Sequence, residues 1–180
     1  MRSRVTAYGL LATCFLAAVV GCRSHTDRPV DGHPELMKNP DTVAVNRTLD
    51  SLHDAASRAE ESRYFALFTP DAVFLGTDAT ERWTMEEFRA YAHPIFSQGR
   101  GWTYVVQQRH IAFGPDGRTA WFDESLTNAK LGLCRGGGVL VKVGEGDWRI
   151  AQYNLTIPVP NELAEQVVKL IREGGETKAH

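Results

Sequence analysis

The chain has 180 residues, 43% of them apolar and 23% charged, with a formal net charge of −2. That length suits one domain with a real core rather than two. Lys and Arg are scattered rather than clustered, which excludes a nucleic-acid footprint.

Residues 1–21 read as a signal peptide. Arg2 and Arg4 make a basic start, an apolar stretch runs from about Ala7 to Val20, and the small residue Gly21 precedes Cys22. This is the layout of a secretory signal, and its end resembles a bacterial lipobox, in which Cys22 is lipidated and becomes the new N-terminus. The apolar run is shorter than the ~20 residues that a spanning helix needs. The expectation is therefore an exported chain, lipid-anchored to a membrane and facing the periplasm or cell exterior. Arg23 and Ser24 lack the aspartate that argues for inner-membrane retention, which favours the outer membrane where the host has one. Residues 22–40, with three prolines, one glycine and no periodicity, read as the lipidated cysteine and a flexible tether. With Cys14 in the leader and Cys22 lipidated, Cys134 stands alone in the domain, so no internal disulfide forms there. Its apolar strand pattern makes it a core residue.

Residues 41–68 read as one long helix, with apolar or small residues at 45, 49, 52, 56 and 59. Pro70 stops it, and residues 72–76 form a short strand. The connection GTDATERW (76–83) crowds Asp78, Glu81, Arg82 and Trp83 together. Acids there face the positive end of the next helix, and the same stretch suits a pocket rim, with Trp83 closing over an apolar ligand and Arg82 pairing an acid. Thr84 and Glu87 make a capping box. The helix behind it runs to about Phe96, with Phe88, Tyr91, Ala92 and Ile95 on one face, and Pro94 is expected to end or kink it. Four strands follow, at 102–113, 118–129, 136–143 and 148–157, divided by glycine-containing turns such as Gly114–Gly117 and Gly144–Asp147. Beyond Pro160 lies an amphipathic helix with Leu163, Val167, Leu170 and Ile171 on one side and Gly174 as its stop. Helices first and strands after predict an α+β fold, its helices packed on one face of a curved antiparallel sheet around a hollow that suits a small molecule.

The strings YFALFTPDAVFLGTDATERW, TMEEFRAYA, GWTY, AWFDESL, RGGGVLVKV and WRIAQYNL, in this layout, resemble a SnoaL-like, or nuclear transport factor 2-like, domain over residues 41–159. The resemblance implies a cone-shaped, cystatin-like α+β fold, often dimeric through the outer sheet face, with residues 160–180 as an added C-terminal helix and tail. A homodimer is thus expected. Such domains include polyketide cyclases, ketosteroid isomerases and dehydratases as well as binding and assembly modules, so the pocket must choose the function.

Asp123 and Glu124 are neighbours on a strand and point to opposite faces. Either could be the inward acid. Trp121 shares the face of Asp123 and would supply an apolar wall that makes the carboxyl a general base or acid. The bland alternative pairs the inward acid with Arg135 or Arg82. Asp78 is a second candidate base. Gln152 and Asn154 share one face of the last strand, where an amide can hydrogen-bond a carbonyl or hydroxyl but cannot move protons at neutral pH; Tyr153 faces the other way. Arg135, beside Gly136-Gly137-Gly138, would meet an anionic group, the glycines letting the sheet curl or making room for a ligand. His110 is the one histidine within the predicted strands. The expected ligand-binding set is Asp78, Arg82, Trp83, Trp102, Trp121, Asp123, Arg135, Gln152 and Asn154. No histidine or acid pair has metal-ligand spacing, so neither metal nor cofactor is expected. The leading expectation is a pocket for a small, partly apolar molecule. The alternatives are an isomerase, cyclase or hydro-lyase with an Asp base, and a non-catalytic dimeric assembly module.

Overall fold

The structure, a computed structural model, describes residues 39–177, with side chains to residue 174. The leader, Cys22 and most of the tether lie outside the described residues. Helix α1 (Pro40–Ser57) is capped by Asn39, whose side chain accepts the Asp41 N–H at 2.9 Å, and its apolar stripe Val45, Leu49, Leu52 and Ala56 is buried. The predicted long helix is interrupted after Ser57. Ala59 adopts φ 57°, and the Glu60 N–H turns back to the Ala55 carbonyl at 2.9 Å. A shorter helix α2 (Glu61–Ala66) then starts and buries Tyr64 and Phe65. No glycine or proline marks this break. The turn ahead of the third strand packs against it, so closely that a Cβ on Gly101 would collide with the Ala56 carbonyl oxygen.

Strand β1 (Phe68–Leu75) begins earlier than expected, with Pro70 accommodated where its register slips between Phe68 and Val73. A short β2 (Arg82–Thr84) pairs back on it, so the end of GTDATERW is strand rather than loop. The Thr84–Glu87 capping box is formed: the Glu87 N–H reaches Thr84 Oγ1 at 3.3 Å, and the Thr84 N–H reaches Glu87 Oε2 at 2.8 Å. Helix α3 (Met85–Phe96) continues through Pro94 instead of ending there. Strands β3 (Val105–Phe113), β4 (Thr119–Asn128), β5 (Gly132–Val143) and β6 (Asp147–Thr156) form an antiparallel meander. β1 joins it parallel to β6, giving a six-stranded curved sheet in the order β2-β1-β6-β5-β4-β3. The architecture is the expected α+β, cystatin-like one, with N-terminal helices against the inner sheet face. Helix α4 (Ala164–Thr177) follows a 3₁₀ turn and runs past Gly174, leaving Leu163, Leu170 and Ile171 exposed.

The start of α1 is clipped to the sheet by Asp41, which accepts the Lys142 ammonium at 3.0 Å and the Trp148 indole N–H at 3.0 Å. Thr48 adds a buried bond to the Trp148 carbonyl at 3.1 Å. The Lys142 hydrogen bond, followed by that of Trp148, holds the Asp41 carboxyl below its usual value. A depressed carboxylate stabilises the fold above its unfolded pKa, and that contribution fades as pH falls through the folded value. Asp41→Asn is expected to cost about 1–2 kcal/mol at pH 7 in urea unfolding. The gap between variant and wild type should narrow at pH 3; an unchanged gap would rule out a charge-dependent clip.

Candidate functional site

Between the helices and the inner sheet face lies a hollow of about 600 Å³. Its apolar wall comes from every element around it: Leu52 of α1, Tyr64 of α2, Phe74 of β1, Trp83 of β2, Phe88 of α3, Trp102, Leu131 and Leu155. Several of these rings run nearly parallel. Tyr153 stacks on Phe74 at 5.5 Å and 12°, Phe74 on Phe88 at 3.9 Å, Phe88 on Trp83 at 5.5 Å and 7°, and Trp83 on Tyr91 at 4.8 Å. The run leads from buried Tyr153 to Tyr91, which is 51% exposed and marks the rim. Glu81, Thr77, Asn128 and Lys130 add polar groups to the lining.

A polar cluster stands at the buried end. Glu124 of β4, with no side-chain exposure, accepts at Oε1 from His53 Nε2 (2.8 Å) and from the Tyr153 hydroxyl (3.0 Å), and at Oε2 from Arg109 Nε (2.8 Å). Arg109 also reaches Asn46 at 3.1 Å and Asp50 at 2.7 Å on α1. Burial pushes Glu124 up, the largest single influence, but the hydrogen bonds and charges of His53 and Arg109 together outweigh it and hold the carboxyl below its usual value. Glu124 is thus an ionised acceptor, and that partner assigns the proton of a neutral His53 to Nε2. Nδ1 makes no hydrogen bond among the described residues. Burial and the neighbouring Glu124 carboxylate raise the Tyr153 phenol well above its ordinary value, and burial pushes Tyr104, whose ring lies 6.4 Å from that of His53, up to about 12. His53 and Tyr153 both line the hollow, so the cluster is its buried polar end.

The glycine run serves this arrangement. Gly136 lies across from Glu124 in the β4–β5 ladder, and a Cβ there would strike the Tyr153 hydroxyl and Glu124 Oε1. Gly138 is needed for a different reason, since its Cβ would overlap the Gln152 carbonyl beside the β5–β6 register shift.

Strand parity decides where the sequence-predicted residues fall. Trp83 and Trp102 are in the wall of the hollow. Asp78 sits in the exposed β1–β2 connection, where its Oδ1 accepts the Thr80 N–H at 2.8 Å, and Arg82 is exposed on β2. Neither lines the hollow. Asp123 occupies the outer sheet face with Trp121, itself 50% exposed, and its cross-strand neighbours are His110 and Gly137. Arg135 and Gln152 are exposed, and Asn154, opposite Gly137, shares that outer row. The candidate base Asp123 and its outer-face companions are therefore corrected. Glu124 is the inward acid, and its partners are His53, Arg109 and Tyr153 rather than Arg135 or Arg82. The signal was present: Ala120, Phe122, Glu124 and Leu126 make the apolar parity of β4, while Trp121, Asp123, Ser125 and Thr127 make the polar one. His53 had a signal too, four residues after Leu49 and next to Leu52 on the buried stripe of α1.

A model of the SnoaL-like domain matches residues 45–160. Among solved structures, a candidate scytalone dehydratase from Novosphingobium aromaticivorans superposes with a TM-score of 0.57 at 15% identity, covering 69% of this chain and 87% of that one. A candidate dehydratase of the NTF2-like family from Streptomyces avermitilis gives 0.55 at 14% identity, covering 68% and 100%. An NTF2-like protein of unknown function from Pseudomonas putida gives 0.53 at 12%, covering 66% and 87%. At these identities the likeness is one of fold. No curated protein matches the chain in sequence.

Gly136→Ala tests the packing of the cluster. It should lower stability by about 1–3 kcal/mol in urea unfolding, as overpacked cores do. A variant as stable as wild type would show that the Glu124–Tyr153 contact has room to spare.

Proposed function

The chain belongs to the SnoaL-like domain family, and from that premise we propose that its hollow binds a small, flat, partly apolar molecule on which His53, oriented by Glu124, moves a proton. The observation that carries this reading is the 2.8 Å bond between His53 Nε2 and a fully buried carboxylate, at the end of an aromatic hollow that His53 itself lines. A carboxylate behind an imidazole fixes its tautomer and steadies the cation that forms when the ring takes a proton. With Nε2–H committed to Glu124, Nδ1 is the atom left to accept a proton from carbon or oxygen and return it elsewhere on the same molecule. Stacked rings supply a wall for a planar skeleton. This is the chemistry of an isomerase, cyclase or hydro-lyase, with histidine in place of the aspartate base expected from sequence. The two dehydratase candidates among the fold neighbours are compatible with that class and do not carry the argument.

The full chain in deuterated buffer with 1-tetralone or 2-tetralone, flat ketones with acidic α-protons, provides the test. Proton NMR should show protein-accelerated α-exchange at neutral pH that falls by about 10²–10⁴-fold in His53→Ala. Binding without exchange would leave a ligand site and remove the catalytic half of the proposal; neither binding nor exchange would remove both.

We also propose export and lipid anchoring at Cys22, on the pattern of the leader alone. No described helix is long and apolar enough to cross a membrane. In a bacterial host, wild type should incorporate labelled palmitate and sediment with membranes, whereas Cys22→Ala should do neither. Equal labelling of the two would refute the lipid site.

A further inference from the structure

We propose that the molecule taken by the hollow carries an anionic group, such as a carboxylate, at the end away from His53, and that Lys130 at the mouth receives it. This rests on the reading of the hollow as a ligand site and names the class of ligand that the site selects. The two ends of the site are set apart along β4. Glu124, which holds His53, lies on the inner row of that strand. Asn128, Lys130 and Leu131 enter the lining only where the strand ends and turns into β5. From Glu124 to Asn128 is about 13 Å of extended chain at ~3.3 Å per residue. A ligand with its reacting carbonyl at His53 therefore presents its opposite end to the turn.

The turn fixes the backbone from which the lysine extends. Asn128 Oδ1 accepts the N–H groups of both Lys130 and Leu131 at 2.9 Å, and Asn128 Nδ2 donates to the Thr103 carbonyl at 2.9 Å, tying the turn to the segment ahead of β3 that also lines the hollow. Gly132, at φ 70°, lets the chain re-enter β5. The amide of Asn128 is thus spent on the turn. The Lys130 side chain is exposed, and its ammonium has no ion pair or hydrogen bond among the described residues. The other charged group of the rim is Glu81. Its Oε2 accepts the Asp78 N–H at 3.1 Å, and the same oxygen lies so close over Gly76 that a Cβ there would collide with it. That carboxylate is folded back onto its own connection and serves it, whereas the lysine serves nothing within the described chain. A ligand group that reaches the mouth therefore meets one charge without a partner, and it is positive. An ammonium donates its strongest hydrogen bonds to an anion, and its flexible stem follows an acceptor that is not rigidly placed.

The experiment is titration calorimetry on the full chain with three ligands of one skeleton. These are 1-tetralone-6-carboxylate, whose ketone and carboxylate stand at opposite ends, its methyl ester, which loses the charge, and 6-(aminomethyl)-1-tetralone, which reverses it. At low ionic strength wild type should bind the carboxylate about fivefold more tightly than the ester, and the ammonium compound more weakly than either. Added salt should shrink the preference. The carboxylate-to-ester ratio should fall to about one in Lys130→Gln, invert in Lys130→Glu and return in Lys130→Arg. Each ratio compares two ligands on one protein, so a loosened fold does not imitate the pattern. Equal affinities in wild type, or a preference that survives in Lys130→Gln, would overturn the proposal. So would a preference for the ammonium compound, which would give the mouth to Glu81. Failure of all three to bind would overturn it together with the ligand reading of the hollow. The expected ratios without α-proton exchange would sink the catalytic role of His53 alone and leave that of Lys130 standing, so the two failures are distinguishable.

Discussion

A carboxylate without access to water must be answered by donors and by charge, and Glu124 draws its answers from three elements. α1 brings His53, β3 brings Arg109 and β6 brings Tyr153. Removing one member of such a cluster costs about 3–5 kcal/mol, because the remaining charge is stranded. That penalty makes the position of α1 over the sheet a requirement. Arg109 extends the demand by gripping Asn46 and Asp50, two turns and one turn before His53 on the same helix. The buried end of the hollow is therefore set by electrostatics, while its walls are set by the packing of rings.

The two controls meet at Tyr153. Its phenol belongs to the charged cluster and its ring starts the stacked run through Phe74, Phe88 and Trp83. The backbone opposite must then give way, and it does so at Gly136. Three consecutive glycines in a strand weaken it in isolation. Here two of the three are dictated by neighbours, Gly136 by side-chain heads on the inner face and Gly138 by a carbonyl of the next strand.

Much of the architecture was legible because local chemistry agreed with the final fold. The Thr84–Glu87 box starts α3 where it should, the four meander strands lie where alternation places them, and the glycine turns separate them. The break between α1 and α2 was not legible, because Ala59 takes its left-handed conformation under tertiary pressure and not from any preference of alanine. The parallel pairing of β1 with β6 joins segments far apart in sequence and leaves no local trace. The site was half visible. Trp83 and Trp102 could be placed from their position near helix and strand ends, but weighting a strand acid by its aromatic neighbour picked Asp123. The parity of Phe122 and Leu126 points to Glu124 instead. His53 went unseen because a histidine on a helical stripe looks like filler until a buried carboxylate is found facing it.

Cys134 lies in the β5 core, wholly buried, with Leu126 opposite it on β4. Among the described residues it is the only thiol. Its location makes the sulfur a spectator of the sheet: while β4 and β5 stay zipped, neither oxidants nor alkylating reagents have a route to it. The rate at which such a reagent consumes it would then clock how often the strands that carry Glu124 and Gly136 come apart, giving the domain a natural reporter of its own opening.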